Sequence, residues 1–195
     1  MEQAAIGYRL SAVGTRVGAV VLGAIVVAAA AQVAIPLPGT PVPMTLQPMA
    51  VLLVGGLLGA RFGALSMILY LAMGAAGLPV FTPTVPLVGI ARLFGPTGGY
   101  LLAYPIAAYA TGWFSDPARK RGVQEQVAGV RVALGVFIGL VLIHLGGLAQ
   151  LAILTGNLSA AARFGTWPFL LGDMLKLVIL VPVLTKLIPT VRARL

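Results

Sequence analysis

Long segments of apolar residues without charges alternate with short polar segments along this chain. Most of the apolar segments approach the roughly 20 residues that a helix needs to cross a bilayer. The pattern therefore predicts membrane-spanning helices over residues 17–35, 98–114, 132–154 and 168–188.

Residues 48–76 are also apolar, but they contain one charge, Arg61, inside the segment GGLLGARFGAL. One long helix would place the basic DPARKRG loop outside the membrane, against the positive-inside rule. Two short helices, over 46–60 and 62–77, place ten basic residues inside and leave Arg92 and Arg163 outside. The charge distribution thus predicts one all-α membrane domain over 1–195, a six-helix bundle with both termini in the cytoplasm.

The composition agrees with a membrane protein, because 59% of the 195 residues are hydrophobic and 9% are charged. Soluble domains carry roughly 25% charged residues. The chain has no cysteine, which excludes disulfides and thiolate chemistry. The net charge of +9 follows from the predicted topology, so no nucleic-acid partner is expected. His144 is the single histidine and is interpreted as a packed, hydrogen-bonded side chain, so neither a metal nor a cofactor is expected.

Two predicted outer loops have unusual compositions. The loop over 35–48 is rich in proline and uncharged, so we expect a stiff rim that ends at Gln47 near the membrane surface. The loop over 77–95 is apolar with a single charge, Arg92. Such a loop avoids water, so we expect it to fold inward over the helices.

The segment GPTGGY, residues 95–100, opens the fourth predicted helix. Glycine beside a helix N-terminus leaves backbone N–H groups free for an anion or a carbonyl. The segment lacks the lysine and hydroxyl residue of a Walker A loop. The alternative interpretation is a loop-to-helix turn capped by the side chain of Thr97.

Asp173 and Lys176 lie inside the last predicted helix, where each charge costs about 2.5–3.5 kcal/mol near the bilayer centre. Their spacing of three residues puts them on nearly the same helix face, which we expect to point into the bundle. In one interpretation they pair with each other or with helix backbone. In the other they form the polar end of an outward-opening pocket whose other wall comes from Gln47, Arg92 and the glycine-rich turn. Such a pocket suits a small amphiphile with N–H donors and an anionic group.

Three segments of the sequence resemble the BioY family, the biotin-specific substrate-binding components of energy-coupling-factor (ECF) vitamin transporters. They are VPMTLQPMAVLLVGGLLGARFGALSMILYLAMGAAGLPVF (42–81), FGPTGGYLLAYPIAA (94–108) and PFLLGDMLKLVI (168–179). The resemblance extends over nearly the whole chain, in the family's order and spacing. It implies six helices that hold biotin in a pocket near the outer surface, capped by loops.

The resemblance also implies roles for individual residues. Asp173 is expected to accept hydrogen bonds from the N–H groups of the ureido ring. Lys176 and Arg92 are candidates for the carboxylate or other polar atoms. The further expected ligand-binding residues match the family's loop motifs: Gln47, Phe81, Thr97, Gly98 and Tyr100. The resemblance implies no catalytic residue.

The partners that the resemblance implies are a transmembrane coupling subunit and two ATPase subunits in the cytoplasmic membrane of a prokaryote. The sequence contains no nucleotide-binding motif, so energy must come from such partners. In the family, docking uses an alanine motif in the first helix. Ala24 and Ala28 are the best match, with Ala30 and Ala34 as an alternative.

Three other functions remain open from the sequence. An intramembrane enzyme would use Asp173 as a general acid or base, but it lacks a companion, since Glu2, Asp116 and Glu125 fall on the predicted cytoplasmic side. A structural or regulatory membrane protein would give Asp173 and Lys176 no role, although burying these charges destabilises the helix. The same fold with a different vitamin is the nearest alternative, because biotin is indicated by the resemblance alone.

Overall fold

The computed structural model describes residues 2–116 and 125–195, and it is built almost entirely of helices. The seven α-helices of this part of the chain are α1 (Glu2–Gln32), α2 (Gln47–Leu58), α3 (Ala60–Ala75), α4 (Gly98–Phe114), α5 (Glu125–Thr155), α6 (Leu158–Gly165) and α7 (Leu170–Arg192). Two 3-10 helices, Gly89–Phe94 and Trp167–Phe169, precede α4 and α7.

Each segment predicted to span the membrane is largely helical, although the first ends at Gln32 instead of residue 35. Three stretches are long and apolar enough to cross a membrane: Val13–Gln32, Gly129–Thr155 and Leu158–Arg192. α1 and α5 begin earlier than predicted, and α6 was not predicted. Most of the DPARKRG loop, with the basic residues at 119–121, lies outside the described residues.

The second apolar segment forms two helices in the structure. α2 ends and α3 begins at Gly59, whose φ of 85° lies in a region that favours glycine. Arg61 falls in the first turn of α3, beside the break. The two helices are 12 and 16 residues long.

The two predicted outer loops, over 35–48 and 77–95, lie at the same end of the bundle, here called the cavity end. The proline-rich loop contains a small antiparallel pair, β1 (Ala34–Ile35) and β2 (Met44–Thr45), a departure from the all-α prediction. The second loop folds inward at its beginning, where Val80 and Phe81 are buried. Its later part is more exposed than predicted, with Val88 79% exposed.

Arg192 joins three helices at the opposite end of the bundle. Its Nε donates to the carbonyl oxygen of Leu57, and its Nη2 donates to those of Gly56 and Gly112, at distances of 3.2, 2.6 and 3.2 Å. These carbonyls belong to the last turns of α2 and α4, where helices leave carbonyl groups without partners. The side chain of Arg192 therefore completes the hydrogen bonding of two helix ends.

α1 packs against the bundle through Ala24, Val27 and Ala31, which are fully buried. Ala24, one of the two alanines expected to dock a partner, therefore has no exposed surface in this conformation. Ala28 is partly buried and packs beside the same core. Of the predicted pair, Ala28 alone retains exposed surface for docking.

Candidate functional site

A cavity lies at the cavity end, beneath the two loops and between the helices. It encloses about 50 Å³ of free space, well below the roughly 300–1,000 Å³ of typical small-molecule sites. Its walls combine apolar and polar side chains: Val42, Pro43, Thr45, Gln47, Pro48, Phe81, Thr82, Arg92, Thr97, Tyr100, Leu101, Tyr104, Leu140, Ile143, His144, Phe169, Asp173 and Lys176.

Asp173 and Lys176 both line this cavity from the first two turns of α7, and both are buried. The Nζ atom of Lys176 donates to Oδ1 of Asp173 at 2.9 Å. The two interpretations of the sequence are therefore compatible, since the residues pair with each other and also border a cavity. The pairing compensates part of the cost of burying two charges.

His144 is a site residue that the sequence analysis missed. It projects from α5 into the wall of the cavity, and its Nε2 lies 2.5 Å from Oδ2 of Asp173. The sequence predicts a packed, hydrogen-bonded side chain here, and the structure shows both features, but the sequence does not predict that His144 borders the cavity. Its position in the sequence could have indicated a functional role, because an ionisable residue within a membrane span is a functional candidate by default.

Arg92 lines the cavity, but the two terminal nitrogens of its guanidinium donate hydrogen bonds to carbonyl oxygens of the second loop. Its Nη1 donates to the carbonyl oxygens of Val85 and Leu87, at 2.5 and 3.0 Å, and its Nη2 donates to that of Thr82 at 2.6 Å. Its Nε is buried without a partner. Burial lowers the pKa of Arg92 below its usual value, yet a guanidinium stays protonated near neutral pH.

The glycine-rich turn contributes two side chains to the cavity and packs through its glycines. Thr97 and Tyr100 line the cavity, whereas Gly98 does not. A side chain at Gly98 or at Gly99 would collide with backbone atoms of Leu93 or of Gly146. These glycines therefore allow α4 to approach its neighbours closely.

The side chain of Thr97 does not cap α4, contrary to the alternative interpretation of the sequence. Thr97 occupies the N-cap position of α4, but its side chain makes no capping hydrogen bond. Its Oγ1 is buried without a partner. The threonine thus offers its hydroxyl group to the cavity wall rather than to the helix.

Gln47 is held at the cavity by a short hydrogen-bond chain. Its Nε2 donates to the hydroxyl of Tyr70 at 2.5 Å, and that hydroxyl donates to the carbonyl oxygen of Val80 at 3.2 Å. Phe81 follows in sequence, lines the cavity and meets the Tyr70 ring edge to face, with centroids 5.5 Å apart. The start of α2 and the second loop are therefore tied together at the cavity.

Several buried polar atoms of the described residues have no hydrogen-bond partner, and three of them belong to the cavity wall. They are Nε of Arg92, Oγ1 of Thr97 and Nδ1 of His144. Buried polar groups in native proteins are nearly always paired. A cluster of unpaired donors and acceptors around one cavity therefore indicates a site that receives polar groups from a ligand.

The site combines a carboxylate acceptor, two cationic side chains and extensive apolar wall. It suits a ligand that is partly apolar, donates hydrogen bonds at one point and carries negative charge at another. The described residues contain no cluster of three or more His, Cys, Asp or Glu that could hold a metal ion.

Comparison with known proteins gives a consistent family. Residues 6–193 match the model of the BioY family. The probable biotin transporter BioY of Pyrococcus horikoshii is 36% identical over 126 residues, which cover 65% of this chain and 68% of that protein. The biotin transporter BioY of Rhizobium etli is 33% identical over 130 residues, which cover 66% and 68%.

One solved structure has a similar fold. It is the crystal structure of the S-component for biotin from an ECF-type ABC transporter, which matches with a TM-score of 0.72. The match covers 93% of this chain and 92% of the other, at 24% sequence identity. The overall fold of this chain is therefore similar to that of this S-component.

Proposed function

This chain belongs to the BioY family, and from that premise we propose that it captures biotin as the substrate-binding subunit of an ECF-type transporter. Its relatives are named biotin transporters, and the similar solved structure is an S-component for biotin. The chain is a transport protein rather than an enzyme, so its site binds and releases a ligand unchanged.

The observation that carries this proposal is the buried carboxylate of Asp173 in a cavity bordered by unpaired polar atoms. Biotin has a ureido ring with two N–H donors, an apolar thiophane ring and a chain that ends in a carboxylate. Asp173 accepts from the ureido N–H groups, and a charged acceptor makes such hydrogen bonds strong. The apolar wall around Phe81 and Phe169 covers the thiophane ring.

We assign the two cations to different parts of the ligand. Lys176 is already bonded to Asp173, so it stays at the ureido end of the site. Arg92 has an unpaired Nε, and Thr97 has an unpaired hydroxyl. These two groups are the candidates to receive the biotin carboxylate, since both can donate a hydrogen bond to it.

The remaining predicted residues shape the pocket. Gln47 and Tyr100 line it but already have hydrogen-bond partners, Tyr70 and the carbonyl oxygen of Gly165. Phe81 contributes apolar wall. Gly98 acts indirectly, because a side chain there would collide with the backbone of Leu93 next to Thr97.

The topology of this proposal has six membrane crossings, both termini in the cytoplasm and a cavity that opens outward. The basic residues at the end of the bundle opposite the cavity support this orientation in a prokaryotic cytoplasmic membrane. A coupling subunit and two ATPases supply the energy for uptake. Docking uses the surface of α1 around Ala28.

Titration calorimetry tests the proposed ligand directly. Detergent-purified protein, stripped of vitamin, is titrated with biotin beside the variant Asp173→Asn, which keeps the shape of the side chain but loses its charge. Binding should weaken at least about tenfold in the variant, since hydrogen bonds to charged groups contribute roughly 1.5–3 kcal/mol.

The matched control is Asp116→Asn, the same chemical change near the opposite end of the bundle, which should bind biotin like the wild type. A folded wild type that gives no heat with biotin would refute the proposed ligand. Riboflavin and thiamine, titrated in the same way, test the alternative of another vitamin.

A further inference from the structure

The carboxylate of Asp173 is held from two helices at once. Lys176, on the same helix, donates to Oδ1 at 2.9 Å. His144, on α5, contacts Oδ2 through Nε2 at 2.5 Å. Each oxygen therefore has one protein partner, and the two partners approach from different elements of the bundle.

The ring of His144 is itself fixed by its surroundings. It meets the ring of Tyr100 edge to face, with centroids 6.2 Å apart, and lies 6.4 Å from the ring of Phe169. The hydroxyl of Tyr100 in turn donates to the carbonyl oxygen of Gly165. The imidazole thus has a defined place between α4 and α7, suited to orienting a neighbour.

A carboxylate has about four lone-pair positions, two on each oxygen. With one donor on each oxygen, one position per oxygen remains for a ligand. If Lys176 were the sole partner, the carboxylate would be free to rotate and place both oxygens against the ammonium group. The second donor prevents this rotation and keeps acceptor positions available to the cavity.

We propose that His144 is a positioning residue that holds Asp173 in the orientation in which it accepts the N–H donors of the ligand. This inference rests on the proposed function, because it takes biotin as that ligand. The sequence motifs place ligand recognition on α7 and the loops, and this inference adds a residue of α5.

Three substitutions of His144 separate positioning from mere packing. The amide nitrogen of His144→Gln can take the place of Nε2 and donate to Asp173, whereas the shorter amide of His144→Asn takes the place of Nδ1 and does not reach it. His144→Leu removes both nitrogens. Biotin affinity is measured by titration calorimetry, and folding by thermal unfolding in detergent.

The expected result is rescue by one variant. Affinity should fall about tenfold to a hundredfold in His144→Leu and His144→Asn, since a hydrogen bond to a charged group is lost. His144→Gln should stay within about threefold of the wild type because it keeps the donor. The control Thr155→Val removes a hydroxyl group from the same helix outside the cavity and should leave the biotin affinity unchanged.

A double variant tests whether the effect passes through Asp173. Asp173→Asn combined with His144→Leu should bind biotin no more weakly than Asp173→Asn alone, because the oriented charge is already absent. Additive losses would mean that His144 acts independently of Asp173, and would overturn the inference.

The other outcomes are equally decisive. Wild-type affinity in His144→Leu would overturn the inference and leave the proposed function intact. Rescue by His144→Asn in place of His144→Gln would also overturn it, by assigning the role to Nδ1. A folded wild type that does not bind biotin would refute the proposed function, and this inference with it. If His144→Leu does not fold, the comparison of the two amide variants decides.

Discussion

Arg92 illustrates how a single side chain can serve a loop and a binding site together. Its two terminal nitrogens hold the carbonyl oxygens of Thr82, Val85 and Leu87, which lie along the second loop. The planar guanidinium presents several donors in a fixed fork, which a lysine cannot reproduce. The loop over the cavity is therefore pinned by a residue that borders the cavity itself.

Arg92→Lys should loosen this loop. The single ammonium nitrogen cannot reach all three carbonyl oxygens. Amide hydrogen exchange at the hydrogen-bonded amides on either side of the pinned segment, Val80 and Gly95, should therefore quicken by at least about tenfold, each lost bond contributing roughly 1.5–3 kcal/mol. Exchange measured by mass spectrometry on the detergent-purified protein reports the change. Arg163→Lys, at an exposed position on α6, is the matched control. Unchanged exchange would mean that the packing of Val80 and Phe81 holds the loop.

The sequence predicted those cavity residues that belong to a motif or whose charge is costly to bury in an apolar helix. Asp173 and Lys176 stand out because two charges in an apolar helix are expensive, and the structure places both at the cavity. His144 has no motif, and its contact with Asp173 joins positions 29 residues apart. The hydrogen bonds of Arg92 to its own loop were also unpredictable, because they depend on the path of the backbone.

At the scale of elements, the close packing of α4 on α5 sets the relative position of several site residues. Gly99 and Gly146 face each other where these helices meet, and a side chain on either would collide with the backbone of the other helix. Thr97 and Tyr100 lie beside this contact on α4, and His144 lies beside it on α5. We therefore expect the width of the cavity to depend on the distance between these two helices.

Gly146→Ala should force the two helices apart. The added methyl group would lie 2.7 Å from the side chain of Ala103 as well as against the backbone at Gly99. Overpacking of this kind costs about 1–3 kcal/mol, so the thermal unfolding temperature should fall and biotin should bind more weakly. Both are measured on the same preparation, by scanning fluorimetry and calorimetry.

The control for this change lies on the same helix. A side chain at Gly129 would meet nothing within 4 Å, so Gly129→Ala should leave biotin binding unchanged. It should also stabilise α5 slightly, since alanine is favoured over glycine in a helix by about 1 kcal/mol. Equal behaviour of the two variants would show that the α4–α5 contact tolerates a methyl group.

Periodicity and charge predicted the main helices but not every element. The break at Gly59 was predictable, because a charge and several glycines interrupt an apolar segment too long for one span. α6 was missed because Leu158–Gly165 is short and mixed in composition, so nothing distinguishes it from a loop. The pairing of β1 with β2 was missed because two-residue strands leave no periodic pattern.

At the scale of the whole molecule, the two ends of the bundle have different chemistry. The cavity end has proline-rich and apolar loops over a binding site. The opposite end has basic residues, among them Arg192, which ties α2 and α4 together, and the exposed Arg194. This asymmetry is the basis for placing the opposite end in the cytoplasm.

The orientation can be measured by cysteine labelling, because the chain contains no cysteine of its own. Ser159→Cys places a thiol on α6 at the cavity end, and Arg194→Cys places one at the opposite end, both at exposed positions. In intact cells, a membrane-impermeant maleimide should label Ser159→Cys and not Arg194→Cys. Permeabilised cells should show labelling of both, and the parent chain should show none.

In the proposed function the two ends of the bundle have different roles, so this result bears on transport and not on affinity. A cavity that opens outward can take up scarce biotin before any coupling subunit acts, and the subunit then needs to reach α1 from within the membrane or the cytoplasm. If Arg194→Cys were labelled in intact cells and Ser159→Cys were not, the cavity would face the cytoplasm. Biotin binding in detergent would remain, but the chain would present its site on the wrong side for uptake, and the proposed role in capture would be wrong.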